Sequence, residues 1–171
     1  MKIAQEIVRI AKQEVGTEEV AGTNCGERVN EYKSATTLRP DAPWPWCAAF
    51  VCWVVKEALQ STGTKHPTAG FTRPFTAGAW DMENWSLRQD STTWTRKPHH
   101  GDIEPGDIVV FKFSHVGFAA SEPDSNGYLV TVEGNTDSEG SREGGGVFLK
   151  LRHVSKIRSR IRFRQDKLIK A

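Results

Sequence analysis

Pro43-Trp44-Pro45-Trp46-Cys47-Ala48-Ala49-Phe50-Val51 ends a proline-rich segment and opens an unbroken apolar run. Pro fits the first turn of a helix, where its missing N–H costs nothing. Beyond it, Ala48, Ala49, Phe50, Val51, Trp53, Val54, Val55, Ala58 and Leu59 leave almost no polar face. This pattern predicts a buried helix over residues 46–60. A cysteine in its first turn faces unpaired N–H groups and the positive end of the helix dipole. Both favour a thiolate, the form that attacks carbonyl carbon.

Working outward, Ile3, Ile7, Ile10, Ala11 and Val15 recur at helical spacing, which predicts an amphipathic helix over 2–15 ended by Gly16. A shorter helix is expected from Glu27 to about Ser34. Residues 61–104 show no clean period, with only Ala77 to Trp85 suggesting a helix. From Gly106 the pattern turns to strands, expected at 107–111, 116–120, 128–132, 147–151 and 159–163. Helices first and a strand meander after predict an α+β domain. A chain of 171 residues fits a single domain over 1–171, with its core at about 20–163 and a basic tail at 164–171.

Composition narrows the function classes. No apolar stretch reaches the ~18 residues of a membrane span, so no membrane insertion is expected. The N-terminal residues lack the apolar stretch of a signal peptide. Three cysteines leave at least one unpaired within the chain; a Cys25–Cys52 disulfide is the open alternative to two more free thiols. Nine of the 23 Lys and Arg lie in residues 150–171 with a single acid, Asp166. Such asymmetry suits a polyanionic partner. Alternation of Arg158, Arg160, Arg162 and Arg164 with Ile157, Ser159, Ile161 and Phe163 fits better an edge strand with one wet face. No nucleic-acid motif appears, and no nucleic-acid partner is expected.

The strands at 115–120 and 128–133, joined by loop 121–127, read as an antiparallel hairpin. A symmetric register pairs Ala120 with Tyr128 and His115 with Glu133, setting an imidazole beside a carboxylate. Asn135 follows on the same side. A thiol nucleophile needs a base, and the base needs an orienting partner. His115 would take the Cys47 proton, Glu133 would fix the ring, and Asn135 would brace them. The Cys47 N–H would serve as an oxyanion donor, with Tyr32 the weak candidate for a second.

At these residues the chain resembles the CHAP family, the cysteine- and histidine-dependent amidohydrolases and peptidases with a papain-like core. The matching segments are Pro45-Trp46-Cys47-Ala48-Ala49-Phe50-Val51, Gly106-Asp107-Ile108-Val109 leading to Ser114-His115-Val116-Gly117, and Val132-Glu133-Gly134-Asn135-Thr136. Gly22-Thr23-Asn24-Cys25-Gly26 and Gly140-Ser141-Arg142-Glu143-Gly144 are weaker echoes. The resemblance implies that Cys47 is the nucleophile, His115 the base, Glu133 the third member and Asn135 a supporting polar group. It also implies cleavage of amide bonds in peptidoglycan, as in phage endolysins and bacterial wall hydrolases. On this reading the partner is bacterial peptidoglycan. The protein acts at the cell wall as a monomer, after release through a permeabilised membrane or by specialised secretion. The alternatives are a secreted antibacterial effector with the same chemistry, a catalytically silent wall-binding module and a basic polyanion binder.

Other features compete for attention. Trp44 and Trp46 flank the cysteine as candidates for substrate binding, or as packing around the helix start. Glu122 to Glu133 imitates a calcium loop, but a hairpin turn between strands explains the same residues. His99-His100 looks like a metal pair, although adjacent residues rarely share one ion, and Cys47 and Cys52 have the wrong spacing for zinc. No metal and no cofactor are expected.

Overall fold

The computed structural model describes residues 2–89, 93–96 and 102–170. Four helices come first in the chain: α1 (Ile3–Gln13), α2 (Glu27–Ser34), α3 (Cys47–Ser61) and α4 (Asp81–Leu87). The strands are β1 (Thr93–Arg96), β2 (Ile108–Phe111), β3 (Val116–Ala119), β4 (Tyr128–Thr136), β5 (Gly146–His153) and β6 (Ile157–Phe163). They form one antiparallel sheet in the order β1-β6-β2-β3-β4-β5. The α+β expectation holds, and each helix and strand read from the sequence is present, with bounds shifted by a few residues. Strand β1 lies in the stretch that carried no period. The His99-His100 pair lies outside the described residues.

Helix α3 organises the core because it is apolar on nearly every side. Residues Cys47 to Val55, with Ala58 and Leu59, are buried. The helix packs against α1 and α2 and against β3 and β4. Phe50 meets Tyr32 of α2 edge-on at 5.3 Å and Phe118 of β3 at 6.3 Å, so one ring ties three elements together. Helix α1 offers α3 the stripe Ile3, Ile7, Ile10 and Ala11. Its buried Glu6 is satisfied by Arg9 and by the Ser61 hydroxyl at 2.5 Å, which also anchors the end of α3. A smaller apolar cluster forms around Ile103, Val109, Phe111, Ala119, Leu129 and Ile157.

Two expectations are corrected. Strand β6 is not an edge strand: it runs between β1 and β2. Its arginines accordingly serve internal ion pairs. Arg160 has no exposed surface and reaches Asp102 at 3.1 Å. Arg162 grips Asp107 through Nε at 2.7 Å and Nη2 at 2.8 Å, and Arg158 pairs with Glu83 at 2.9 Å. Much of the apparent basic excess is thus neutralised within the fold. The disulfide alternative also fails, since Cys25, Cys47 and Cys52 are all free thiols. Among the described residues no helix is long and apolar enough to cross a membrane.

Phe50→Ala removes the ring that joins α2, α3 and β3. Truncation of a fully buried Phe typically costs about 3–5 kcal/mol. Urea denaturation followed by circular dichroism should show a loss of that size; a loss below about 1 kcal/mol would contradict this account of the core.

Candidate active site

Cys47 is the first residue of α3 and only 6% exposed. No side chain caps the helix, so its first N–H groups have no side-chain partner. The approach to this turn is fixed by two indoles. Trp46 is fully buried, stacks on Tyr32 at 5.7 Å and donates from Nε1 to Glu19 at 2.8 Å. It therefore packs the start of the helix and has no face left for a sugar, which corrects the substrate-binding expectation for this residue. Trp44 is half-buried; its Nε1 donates to the Arg39 carbonyl at 2.8 Å and its ring lies 5.2 Å from the Lys33 ammonium. The oxyanion role considered for Tyr32 also falls away. Its buried hydroxyl donates to Glu14 at 2.5 Å.

His115 follows directly on the tight turn between β2 and β3, where Ser114 takes a left-handed conformation (φ 57°). The β3–β4 register differs from the symmetric one. Phe118 pairs with Val132 and Ala119 with Thr131, a slip of two residues that brings Gly117, not His115, opposite Glu133. Because side chains alternate with period two, this slip keeps every residue on its expected face. The His115–Glu133 contact survives as a diagonal one. The carboxylate crosses over Gly117 to reach the ring, with Glu133 Oε2 3.0 Å from His115 Nε2. A Cβ at Gly117 would lie 2.8 Å from Glu133 Cγ and 2.7 Å from the Val132 carbonyl, so only glycine leaves the path clear. On the other side of β4, Gly134 meets α3: a Cβ there would stand 2.8 Å from Phe50 and 2.9 Å from Trp46. The Glu-Gly-Asn motif thus combines two polar groups with one bare position that admits the start of α3.

His115 and Glu133 have no exposed surface. Burial favours a neutral Glu133, but Arg152 and His115 outweigh it and hold the carboxyl well below its ordinary range, at about 2. Arg152 supplies Nε to Oε1 at 2.8 Å and Nη2 to Oε2 at 2.6 Å, and the Thr131 hydroxyl donates to Oε1 at 2.6 Å. Burial likewise favours a neutral His115, yet Cys47 and Glu133 overcome it and raise the ring to about 9. The Nε2–Oε2 approach is poorly aligned for a hydrogen bond, and neither ring nitrogen has a well-directed partner. The attraction between the charges depends on separation and survives the poor angle. Nε2 is turned to the carboxylate, and Nδ1 has no hydrogen-bond partner among the described residues. Phe111 and Phe113 stack against the ring at 5.8 and 5.9 Å.

Asn135 is fully buried with a left-handed backbone (φ 57°). Its Nδ2 donates to the Arg142 carbonyl at 3.3 Å while its Oδ1 has no partner. It ties the loop after β4 to the site rather than bracing the ring directly. The arrangement joins a thiol, a charged imidazole and an ionised carboxylate at a helix start, the parts needed for nucleophilic attack with proton transfer. Arg152 and Thr131 escaped the sequence reading. Thr131 lies two residues before Glu133 on the same face, a period-two signal that was there to be used. Arg152 comes from another strand, opposite Leu129, and only the folded register brings it near.

The CHAP domain family model matches residues 39–135, more than half of the chain and a segment that contains Cys47, His115, Glu133 and Asn135. Among solved structures, the chain is similar to the wild-type endolysin LysIME-EF1. The two are 16% identical with a TM-score of 0.58, over 98% of this chain and 67% of that one. At this identity the likeness is one of fold. No curated protein sequence matches.

The raised His115 pKa makes folding stability depend on pH. A ring charged in the folded state adds stability that is complete below its ordinary value of 6.5 and fades as pH climbs through about 9. Thermal unfolding of wild type and His115→Gln should show the largest wild-type advantage below pH 6.5, shrinking steadily towards pH 9. A gap that stays constant across this window would contradict a charged ring.

Proposed function

The chain belongs to the CHAP domain family, and we propose that it is a peptidoglycan hydrolase that cleaves an amide bond of the bacterial cell wall through a Cys47 thiolate. The observation that carries this reading is the buried His115–Glu133 pair, 3.0 Å apart, with the Cys47 thiol acting on the same ring. The fold likeness to an endolysin is consistent with this reading.

Cys47 Sγ attacks the amide carbonyl carbon, and the oxygen becomes an oxyanion held by the Cys47 N–H at the helix start. His115 gives its proton to the departing nitrogen, the C–N bond breaks, and a thioester remains on the sulfur. The neutral ring then takes a proton from water, and the resulting hydroxide attacks the thioester. A carboxylic acid leaves and the thiolate–imidazolium pair is restored. Glu133 keeps its charge throughout and stabilises the imidazolium in each half-reaction. Asn135 holds the adjacent loop in place. The setting that fits best is release onto the wall during phage lysis, with a secreted antibacterial effector as the second.

Cys47→Ala should lower the clearing of purified peptidoglycan by at least about a thousand-fold, since loss of a nucleophile typically costs that or more. Clearing at the wild-type rate would end the proposal. Iodoacetamide at pH 6 should alkylate Cys47 ahead of Cys52, whose thiol is buried and pushed up to about 12. Mass spectrometry of the digest then names the bond. Free muramyl lactyl groups with intact stem peptides mean an amidase; new termini within peptides mean an endopeptidase.

A further inference from the structure

We propose that Arg152 is a positioning residue of this site: its forked guanidinium holds Glu133 ionised and oriented, and through Glu133 keeps His115 protonated beside Cys47. This rests on the reading of the site given above and adds a member contributed by the last-but-one strand, outside the segment that the family model matches.

The geometry is that of a built clamp. Two parallel N–H groups meet the two carboxylate oxygens at 2.8 and 2.6 Å, the two-pronged match that guanidinium makes and ammonium does not. Nη2 also donates to the Gly140 carbonyl at 3.1 Å. The guanidinium lies 5.4 Å from the Phe111 ring and 5.2 Å from the Phe113 ring. Those two rings stack on each other at 5.1 Å and on His115. Cation, aromatic pair and imidazole therefore form one packed unit, and the carboxylate bridges its two charged ends. Each oxygen of Glu133 has two partners: Oε1 has Arg152 and Thr131, and Oε2 has Arg152 and His115.

The groups that act electrostatically on His115 are Cys47 from α3 and Glu133 from β4; those that act on Glu133 are His115 and Arg152 from β5. Take Arg152 away, and burial reasserts itself on Glu133, whose carboxyl rises towards the neutral form. His115 then loses an anionic neighbour and its own pKa falls. The pH at which the sulfur loses its imidazolium neighbour falls, and the pH at which Glu133 ionises rises. A purely structural ion pair would lower the melting temperature and leave both where they were.

The test uses the full chain with Arg152→Met, which keeps the side chain's apolar reach, and Arg152→Lys, which keeps the charge but not the fork. NMR titration of the His115 ring gives its midpoint independently of any substrate, and peptidoglycan hydrolysis gives kcat and KM across pH. For Arg152→Met the His115 midpoint should drop by at least one pH unit and kcat by about 10–100-fold, the usual size of outer-partner effects, with KM within about twofold. Arg152→Lys should hold the midpoint within half a unit and recover part of kcat. An unchanged midpoint and pH profile in Arg152→Met, with only a lower melting temperature, overturns the proposal. If Arg152→Met fails to fold, Arg152→Lys decides: a kcat equal to wild type shows the fork to be dispensable and overturns it. Wild type that titrates as described but leaves peptidoglycan intact would refute the hydrolase reading alone, because the NMR midpoint still reports what Arg152 does to the pair.

Discussion

Glu133 is an acid with no exposed surface, and a charge so placed persists only when several donors replace the water it has lost. Here two donors and a cation arrive from three directions: the Thr131 hydroxyl along its own strand, the Arg152 fork from the sheet edge, and the charged ring of His115 from the turn after β2. Losing Thr131 would cost one hydrogen bond, whereas breaking the buried ion pair by removing Arg152 typically costs about 3–5 kcal/mol. The site is therefore coupled to the sheet. If β3, β4 and β5 are correctly in register, the carboxylate is satisfied; if they slip by one, it is stranded.

A second constraint is steric, and it decides which residues can stand between the polar ones. The sulfur comes from a helix on one side of β4, while the carboxylate must reach sideways across β3. Both approaches need space at the level of the backbone. Gly134 supplies it beneath Phe50 and Trp46, and Gly117 supplies it beneath the Glu133 side chain. The buried Trp46, pinned to Glu19, then fixes the angle at which α3 begins. Tryptophan beside a nucleophile invites a reading as a sugar platform, yet burial gives it the work of setting the helix start.

What was legible in the sequence follows from how local each signal is. The buried helix, the position of Cys47 at its start and the strand meander rest on periodicities within one segment, and they emerged correctly. The meeting of His115 with Glu133 required a hairpin register, which a symmetric loop placed two residues off. The error was harmless because a shift of two preserves the face. Strand β1 was missed because its partner, β6, lies more than 60 residues away in sequence. The same distance misled the reading of β6: alternating arginines look solvent-facing until Asp102 and Asp107 are brought across the sheet to meet them. Arg152 was invisible for the related reason that its contact crosses strands and runs along the sheet, opposite Leu129 rather than opposite the carboxylate it holds.

These charges also bear on whether the fold is a working enzyme or an inert wall-binding scaffold. A module that only adheres needs shape and surface, and well-packed apolar residues commonly match or exceed a buried ion pair in stability. Such a module would gain nothing from an ionised carboxylate and a charged imidazole sealed beneath a cysteine. Nor would it need Asn135 in a left-handed conformation with an unpartnered Oδ1. Strained and incompletely satisfied polar groups tend to gather where chemistry occurs, because elsewhere they only weaken the fold. Here His115 and Asn135 are both of this kind, and both lie in the segment that the family model matches. That concentration, in a core otherwise filled by aliphatic and aromatic side chains, favours catalysis over simple adhesion.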